Sequence, residues 1–309
     1  MKNKTNSKEQ KTIKNRLFDM RIAQNTRRLF NEFVENVNSG CVKNDGSDPL
    51  LSIIDKYVLD DKDHRFHKTV SKKTVLYRAR VVDTEDMDSE HGFKTYDFSG
   101  YNENGSREAP IGKPGAGRNN ISGVSYLYLA KDPRTACCEV KPRIRQFVSL
   151  AEFELQDTMH IIDFSQDVKF DGMENDISLG VLFTDIMGMY FMPVNEDRKY
   201  KATQFLTDYI RKSGVDGIAY RSYYNESGVN YTIFNSDHRR IRFIGSRLLL
   251  FQSQRQSFLD FEHKKVISSE SVGGASYDSE SAKKIASDIK WHINDLSLKR
   301  KKRDVKEKN

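Results

Sequence analysis

Three residues with charged or nucleophilic side chains lie within or next to apolar segments of the sequence. Arg78 lies inside the segment VLYRAR, Glu139 lies on the helix predicted after LYLA, and Ser222 comes just after GIAY. A charge beside an apolar core is costly unless it is paired or holds a ligand. The spacing therefore leaves two interpretations open. One is a structural ion pair between Arg78 and Glu139, which spacing alone slightly favours, and the other is a ligand site that uses both.

The remaining motifs point to chemistry less strongly. The glycine-rich segment PIGKPGAGRNN (110–120) lacks the GK[ST] of a phosphate-binding loop and precedes a strand, whereas a dinucleotide fingerprint follows one. Alone it indicates an ordinary flexible loop. His64 and His67 lack a nearby third ligand and indicate a solvated helix face, so no metal site is expected. The adjacent Cys137 and Cys138 have no histidine near in sequence, which favours a buried role over a thiolate nucleophile.

Periodic patterns predict the elements that must position these side chains. Arg78 belongs to a strand predicted over residues 74–80, and Asp132-Pro133 supplies the N-cap and first-turn proline of the helix that carries Glu139. Further strands are predicted over residues 124–130, 147–155, 159–164, 217–220, 228–235 and 240–245. Helices are predicted over residues 27–38, 50–58, 176–190 and 199–213, and Gly214 ends the last of them.

The predicted strands outnumber the helices and do not alternate with them regularly, which indicates an α+β fold. We expect a helical N-terminal extension over residues 1–70, a main domain over 71–246 and a C-terminal extension over 247–309. In the last part, residues 267–281 have the Ser/Gly-rich composition of a linker, and residues 282–296 have the period of one more helix.

The cysteine content and the apolar segments of the chain indicate its cellular compartment. The chain has 309 residues and only 3 Cys, which excludes a disulfide framework and favours a reducing, cytoplasmic compartment. The basic start of the sequence is not followed by an apolar segment, so no signal peptide is expected. The longest apolar stretch, over residues 179–193, is too short to span a bilayer, so no membrane partner is expected.

The positive charge is confined to the two ends of the chain. The net charge is +7, yet residues 1–28 alone carry +7 and residues 299–309 carry +5, which leaves about −5 on residues 29–298. Basic ends of this kind are typical of solvated tails. The acidic body argues against nucleic acid as the partner.

Four segments of the sequence resemble the RES-domain family, which is named for its Arg, Glu and Ser. They are LYRAR (76–80), GRNNISGVSYLYLAKDPRTACCEVKP (117–142), YKATQFLTDYI (200–210) and GVDGIAYRSYYNESGVNYTIFN (214–235), in the family's order. The resemblance implies a fold like that of ADP-ribosyltransferases, with a mixed or antiparallel sheet and flanking helices. It also implies a bacterial toxin or defence effector that consumes NAD+ as a phosphorylase or glycohydrolase.

Carried over by motif, the resemblance implies site residues in this sequence. The implied catalytic residues are Arg78, Glu139, Tyr128 and Ser222, and the implied substrate-binding residues are Arg118, Asn119, Arg80 and Asn230. Arg78 would hold the diphosphate, because its planar fork matches phosphate oxygens. Glu139 would bind the ribose and stabilise positive charge, and Tyr128 would stack on nicotinamide or bond the ribose. Ser222 would bond substrate or hold Glu139 in place, without acting as a covalent nucleophile.

The resemblance also implies the partners. NAD+ is the substrate, so no cofactor is expected, and phosphate or water is the acceptor. An antitoxin or other regulatory partner and a homo-oligomer are compatible with the family, although the chain shows no recognisable fused helix-turn-helix antitoxin. Two other functions stay open: a protein ADP-ribosyltransferase on the same fold, and a nucleic-acid-binding or interaction protein that uses the basic ends.

Overall fold

A computed structural model describes most of the middle of the chain. The described residues are 24–42, 48–82, 99–109, 112, 115–169, 176–192, 200–252, 257–260 and 265–268. Residues 1–23 of the basic start and the basic residues 299–309 lie outside them. So do the linker predicted over 267–281, beyond its first two residues, and the helix predicted over 282–296. Within the described ranges, no helix is both long enough and apolar enough to cross a membrane.

Every helix except the short α3 lies close to a predicted position. The described part of α1 covers residues 24–39, α2 is Pro49–Ile54 and continues as a π-type turn over Asp55–Leu59, and α3 is Glu103–Ser106. The remaining helices are α4 (Pro133–Glu139), α5 (Asp176–Phe191) and α6 (Lys201–Arg211). Gly214 follows α6 with a φ of 90°, a left-handed conformation that glycine adopts without steric cost and that explains why the helix stops there.

The strands form one large mixed sheet and one hairpin. The strands among the described residues are β1 (His67–Val70), β2 (Val75–Val81), β3 (Leu127–Ala130), β4 (Phe147–Leu155), β5 (Met159–Asp163), β6 (Gly217–Arg221), β7 (Val229–Ile233), β8 (Ile241–Leu250), β9 (Ser257–Asp260) and β10 (Lys265–Ser268). The first eight form a sheet of order β1-β5-β6-β7-β3-β2-β4-β8, and β9 pairs with β10. The β5–β6 pair is parallel, while β6–β7, β7–β3 and β3–β2 are antiparallel. The α+β class and the mixed sheet are therefore confirmed.

The chain divides into two compact units. The first contains Met1–Tyr77, Arg107–Glu139 and Phe153–Phe243, and the second contains Arg78–Ser106, Val140–Glu152 and Ile244–Asn309. In the second unit, Val82, Tyr101 and Phe147 form a small buried cluster on which Leu248 and Leu250 pack. The LLLF segment after residue 247 thus packs on ordered structure, in agreement with its apolar sequence.

The main core of the first unit includes the N-terminal helices. Phe33 of α1 is 1% exposed and its ring lies 6.0 Å from that of Phe205 on α6. Leu50, Leu51 and Ile54 of α2 are fully buried in the same cluster, together with side chains of α5, α6, β5 and β6. The helices predicted as an N-terminal extension therefore supply part of the core of this unit.

One sequence expectation for this region is wrong. Residues 64–67 were expected to form a solvated helix face, but His67 begins strand β1, which pairs with β5. The His67 ring nitrogen Nε2 lies 2.8 Å from the carbonyl oxygen of Val58. Strand β1 has only four residues and its partner is nearly a hundred residues away, so its pairing leaves little trace in the local pattern.

The packing of α1 gives a stability prediction. We expect Phe33→Ala to lower the free energy of unfolding by about 3 to 5 kcal/mol, because a large buried ring leaves a cavity. Urea-induced unfolding followed by circular dichroism measures this. Asn31→Ala, at an exposed position of the same helix, is the matched control and should change the value by less than about 0.5 kcal/mol. Equal stability of the two variants would show that α1 is a dispensable appendage.

Candidate active site

Helix α4 places Glu139 by means of a capped first turn. Pro133 occupies the first helical position, and Asp132 accepts hydrogen bonds from the backbone N of Thr135 (2.9 Å) and from its Oγ1 (2.6 Å). The N-cap predicted from Asp132-Pro133 is thus confirmed. The helix is only seven residues long, so fixing its first turn also fixes the residue that ends it, Glu139.

Two side chains donate hydrogen bonds to one oxygen of Glu139. The hydroxyl of Ser222 and the amide Nδ2 of Asn230 each lie 2.6 Å from Oε1. Glu139 is half-buried, whereas Ser222 and Asn230 are buried. No described residue donates to the other oxygen, Oε2. The carboxylate is therefore held by Oε1.

The hydrogen of the Ser222 hydroxyl has a defined direction. Ser222 Oγ accepts hydrogen bonds from the backbone N of Tyr224 (3.2 Å) and of Asn225 (3.1 Å). With two donors on its oxygen, the hydroxyl directs its own hydrogen to Glu139. This geometry suits a residue that orients the carboxylate.

Strand register brings further polar side chains to the same face of the sheet. Asn230 of β7 pairs with Tyr220 of β6 and with Ala130 of β3, and Thr232 pairs with Tyr128. Directly paired residues and residues two apart share a face. The face that holds Glu139 therefore also carries Tyr128, Tyr220 and Thr232, and the Asn230 and Thr232 positions lie about 7 Å apart along β7.

Tyr128 uses its hydroxyl to hold the turn at residues 117–120. The hydroxyl donates to Asn120 Oδ1 (2.6 Å) and accepts from the backbone N of Asn119 (3.1 Å), and burial raises the Tyr128 pKa far above its usual range. A Cβ on Gly117 would lie 2.4 Å from Asn120 Oδ1, so this turn requires glycine. The described part of the glycine-rich segment is a loop that these hydrogen bonds hold against Tyr128.

Asn119 links the same turn to the sheet. Its side chain is 1% exposed, and its Nδ2 donates to Thr232 Oγ1 at 2.6 Å. Burial raises the pKa of the nearby Tyr220 hydroxyl to about 12. Asn119 therefore contributes to the polar layer on this face of the sheet, and its predicted contact with substrate stays a prediction.

Arg118 lies at the carboxyl end of α5. Its Nη1 donates to the backbone carbonyls of Tyr190 and Met192, the latter at 2.8 Å. Its guanidinium carbon lies 5.7 Å from the centre of the Tyr200 ring and 5.9 Å from that of Tyr220. A cation is favourable at a helix carboxyl end, so this contact stabilises α5. The substrate contact predicted for Arg118 stays a prediction.

Arg78 and Arg80 belong to the second unit. Arg78 is half-buried on β2, and Arg80 donates through Nη1 to the carbonyl of Gly105 and lies 5.9 Å from the centre of the Tyr101 ring. Their predicted roles with substrate stay predictions. Within the described ranges, no group of three His, Cys, Asp or Glu side chains is arranged to hold a metal ion.

Sequence reasoning missed several polar residues of the site. Thr232 and Tyr220 lie inside apolar strands, and Asn120, Thr135 and Asn225 lie in turns or a helix start, where polar residues are common. The two-residue period of a strand could have indicated two of them, because residues two apart share a face. Thr232 lies two residues after Asn230, and Tyr220 lies two residues before Ser222.

The fold is an α+β domain, and on one face of its mixed sheet the Glu139 carboxylate is held by two hydrogen bonds. The family model for the RES domain matches residues 75–252, more than half of the chain and all of the site residues named above. The chain therefore belongs to the RES-domain family, whose toxins generally act on NAD+. The resemblance drawn from the four sequence segments is confirmed.

The chain is also similar to a protein of known structure. The crystal structure of the M. tuberculosis MbcT-MbcA toxin-antitoxin complex contains a similar chain, with 15% sequence identity and a TM-score of 0.33. The match covers 62% of the present chain and 94% of that chain. No curated protein sequence matches significantly.

The Tyr128 contacts give a prediction for the turn. We expect Tyr128→Phe to destabilise the protein by about 1 to 3 kcal/mol, because it leaves the Asn119 N–H and Asn120 Oδ1 without their shared partner. Thermal unfolding measures the loss, and hydrogen exchange should be faster at the Asn119 amide. Tyr223→Phe, at an exposed tyrosine, is the control. Unchanged exchange at Asn119 in the Tyr128 variant would contradict the assigned contact.

Proposed function

We propose that this protein degrades NAD+ by cleaving the bond between nicotinamide and ribose, with phosphate or water as the acceptor. The observation that carries the proposal is the Glu139 carboxylate, which Ser222 and Asn230 hold by one oxygen while the other remains open. All three residues lie within the range of the family match. Glu139 and Ser222 fall on the positions of the family's name-giving Glu and Ser.

The chemistry explains why an oriented carboxylate is useful. When the N-glycosidic bond breaks, its electron pair passes to the ring nitrogen of nicotinamide, which leaves as a neutral molecule. The ribose then carries oxocarbenium character, as in glycosidic cleavage generally. Glu139 Oε2 would bind the ribose hydroxyls and stabilise the growing positive charge. A proton donor for the leaving group is unnecessary, so the carboxylate works in its ionised form.

The acceptor determines the second product. Phosphate attacking the anomeric carbon gives the 1-phosphate of ADP-ribose, and water gives ADP-ribose with release of a proton. NAD+ is consumed as a substrate in either case, and the scheme needs no cofactor. A polypeptide nucleophile would instead give modified protein, which is the alternative function of a protein ADP-ribosyltransferase.

Consumption of NAD+ in the cytoplasm would make this protein a toxin or defence effector. Such an activity must be restrained in the producing cell, which is why we propose an antitoxin or other regulatory partner. A homo-oligomer is compatible with this scheme. The basic ends are proposed as solvated tails and not as nucleic-acid-binding arms, because residues 29–298 carry about −5.

The first test is product analysis with a carboxylate variant. Wild-type protein should release nicotinamide from NAD+, and mass spectrometry with and without phosphate identifies the second product. Glu139→Gln should lower nicotinamide release at least about 100-fold, because it removes the charge that stabilises the transition state. Glu35→Gln, exposed on α1, should be as active as wild type. Equal turnover of the Glu139 variant would exclude the assigned role, and labelled protein without free product would favour the alternative function.

The second test addresses Arg78, the residue predicted to bind the diphosphate of NAD+. Arg78→Ala should raise KM and lower kcat together, since loss of a phosphate contact weakens binding and positioning. Arg78→Lys should recover only part of the activity, because lysine keeps the charge and lacks the planar fork. If either variant lowers the melting temperature with unchanged kinetics of the folded protein, Arg78 has a structural role only.

A further inference from the structure

The turn over residues 222–228 contacts both the amino end and the carboxyl end of helix α4. At the carboxyl end, Ser222 Oγ donates to Glu139 Oε1 at 2.6 Å. At the amino end, the amide Nδ2 of Asn225 donates to Thr135 Oγ1 at 2.7 Å. The same turn therefore bonds the catalytic carboxylate and the first turn of the helix that carries it.

These contacts form a closed circuit of hydrogen bonds. Asp132 accepts from the Thr135 hydroxyl at 2.6 Å, Thr135 accepts from the Asn225 side chain, and the Asn225 backbone N donates to Ser222 Oγ at 3.1 Å. Ser222 then donates to Glu139, which closes the circuit through the helix backbone. Thr135 is fully buried, so its hydroxyl has no access to water as a substitute partner.

Gly228 allows the turn to lie this close to the helix. A Cβ at this position would lie 2.6 Å from Thr135 Oγ1 and 2.9 Å from the Cβ of Ser222, both shorter than real contacts. Its carbonyl also accepts from the backbone N of Ser222 at 2.9 Å. A side chain here would push the turn away from Thr135 and Ser222 together.

We propose that Thr135, Asn225 and Gly228 are positioning residues for Glu139, which act through Ser222. The inference rests on the proposed function and deepens it. None of the three contacts the substrate in this scheme. Thr135 holds the side chain of Asn225, and the backbone N of Asn225 holds the oxygen of Ser222. Gly228 allows the turn to lie close to helix α4. The result is that the hydrogen of Ser222 points at Oε1 and Oε2 is oriented for the ribose.

The test compares threonine variants that differ in one group. Thr135→Val removes the hydroxyl and keeps the shape, and we expect a fall in kcat of about tenfold with KM changed less than about twofold. Thr135→Ser keeps the hydroxyl and should retain activity within about twofold of wild type. Thr184→Val is the matched control, because the Thr184 hydroxyl also bonds within a helix, to Gly180 O at 2.7 Å, at an exposed position of α5. It should leave kcat unchanged.

A double-mutant cycle separates positioning from general stability. If Thr135 acts through Ser222, then Thr135→Val should have little further effect on kcat in a Ser222→Ala background. Additive effects would overturn the proposal. All kinetics are measured below the melting temperature of each variant, so that loss of folded protein does not enter kcat. Asn225→Ala, at a half-buried position, and Gly228→Ala test the same circuit if the Thr135 variant folds poorly.

Hydrogen exchange gives a readout that needs no activity. The backbone amides of Tyr224 and Asn225 bond Ser222 Oγ, so their exchange should be faster in Thr135→Val and unchanged in Thr184→Val. If wild-type protein releases nicotinamide and Thr135→Val matches it in kcat, the positioning proposal is wrong and the proposed function stands. If wild-type protein releases none, the proposed function fails, and exchange at these two amides alone decides whether the circuit holds the turn.

Discussion

A half-buried carboxylate that accepts two hydrogen bonds on one oxygen is the constraint on which the site depends. Glu139 ends a short helix, and its two donors are Ser222, which directly follows β6, and Asn230, the second residue of β7. Removing either donor would leave a charge poorly solvated at the edge of the core, which is energetically expensive. The antiparallel register of β6 and β7 is therefore coupled to the orientation of the carboxylate, because a shift by one residue would turn Asn230 to the opposite face.

The polar layer around this carboxylate is organised by backbone geometry as much as by side-chain charge. Tyr128 holds the turn at residues 117–120, and Asn119 of that turn reaches Thr232 on β7. Gly117 and Gly228 both lie where a Cβ would collide with a hydrogen-bonding atom. The absence of a side chain at these two glycines thus allows the backbone to lie close to neighbouring hydrogen-bonding groups. The side chains next to the two glycines are uncharged.

Local signals in the sequence predicted most of the fold. The strand predicted over residues 147–155 has the bounds of β4, and Asp132-Pro133 and Gly214 mark true helix ends. Strand β1 was missed because its four residues become a strand only through pairing with distant β5. For the site, Glu139 and Ser222 were found through family motifs, while Thr135 and Asn225 were not. Their importance comes from contacts between residues ninety positions apart, which no local pattern contains.

The placement of Phe33 and of helix α2 within the main core has a practical consequence for fragment design. The family match begins at residue 75, yet α1, α2 and β1 supply buried surface to the core that β5 and β6 share. A recombinant fragment cut at the family boundary would expose that apolar surface to water and would be prone to aggregate. A fragment that keeps this core intact accordingly includes α1 and α2, which lie well before the region that sequence similarity alone would delimit.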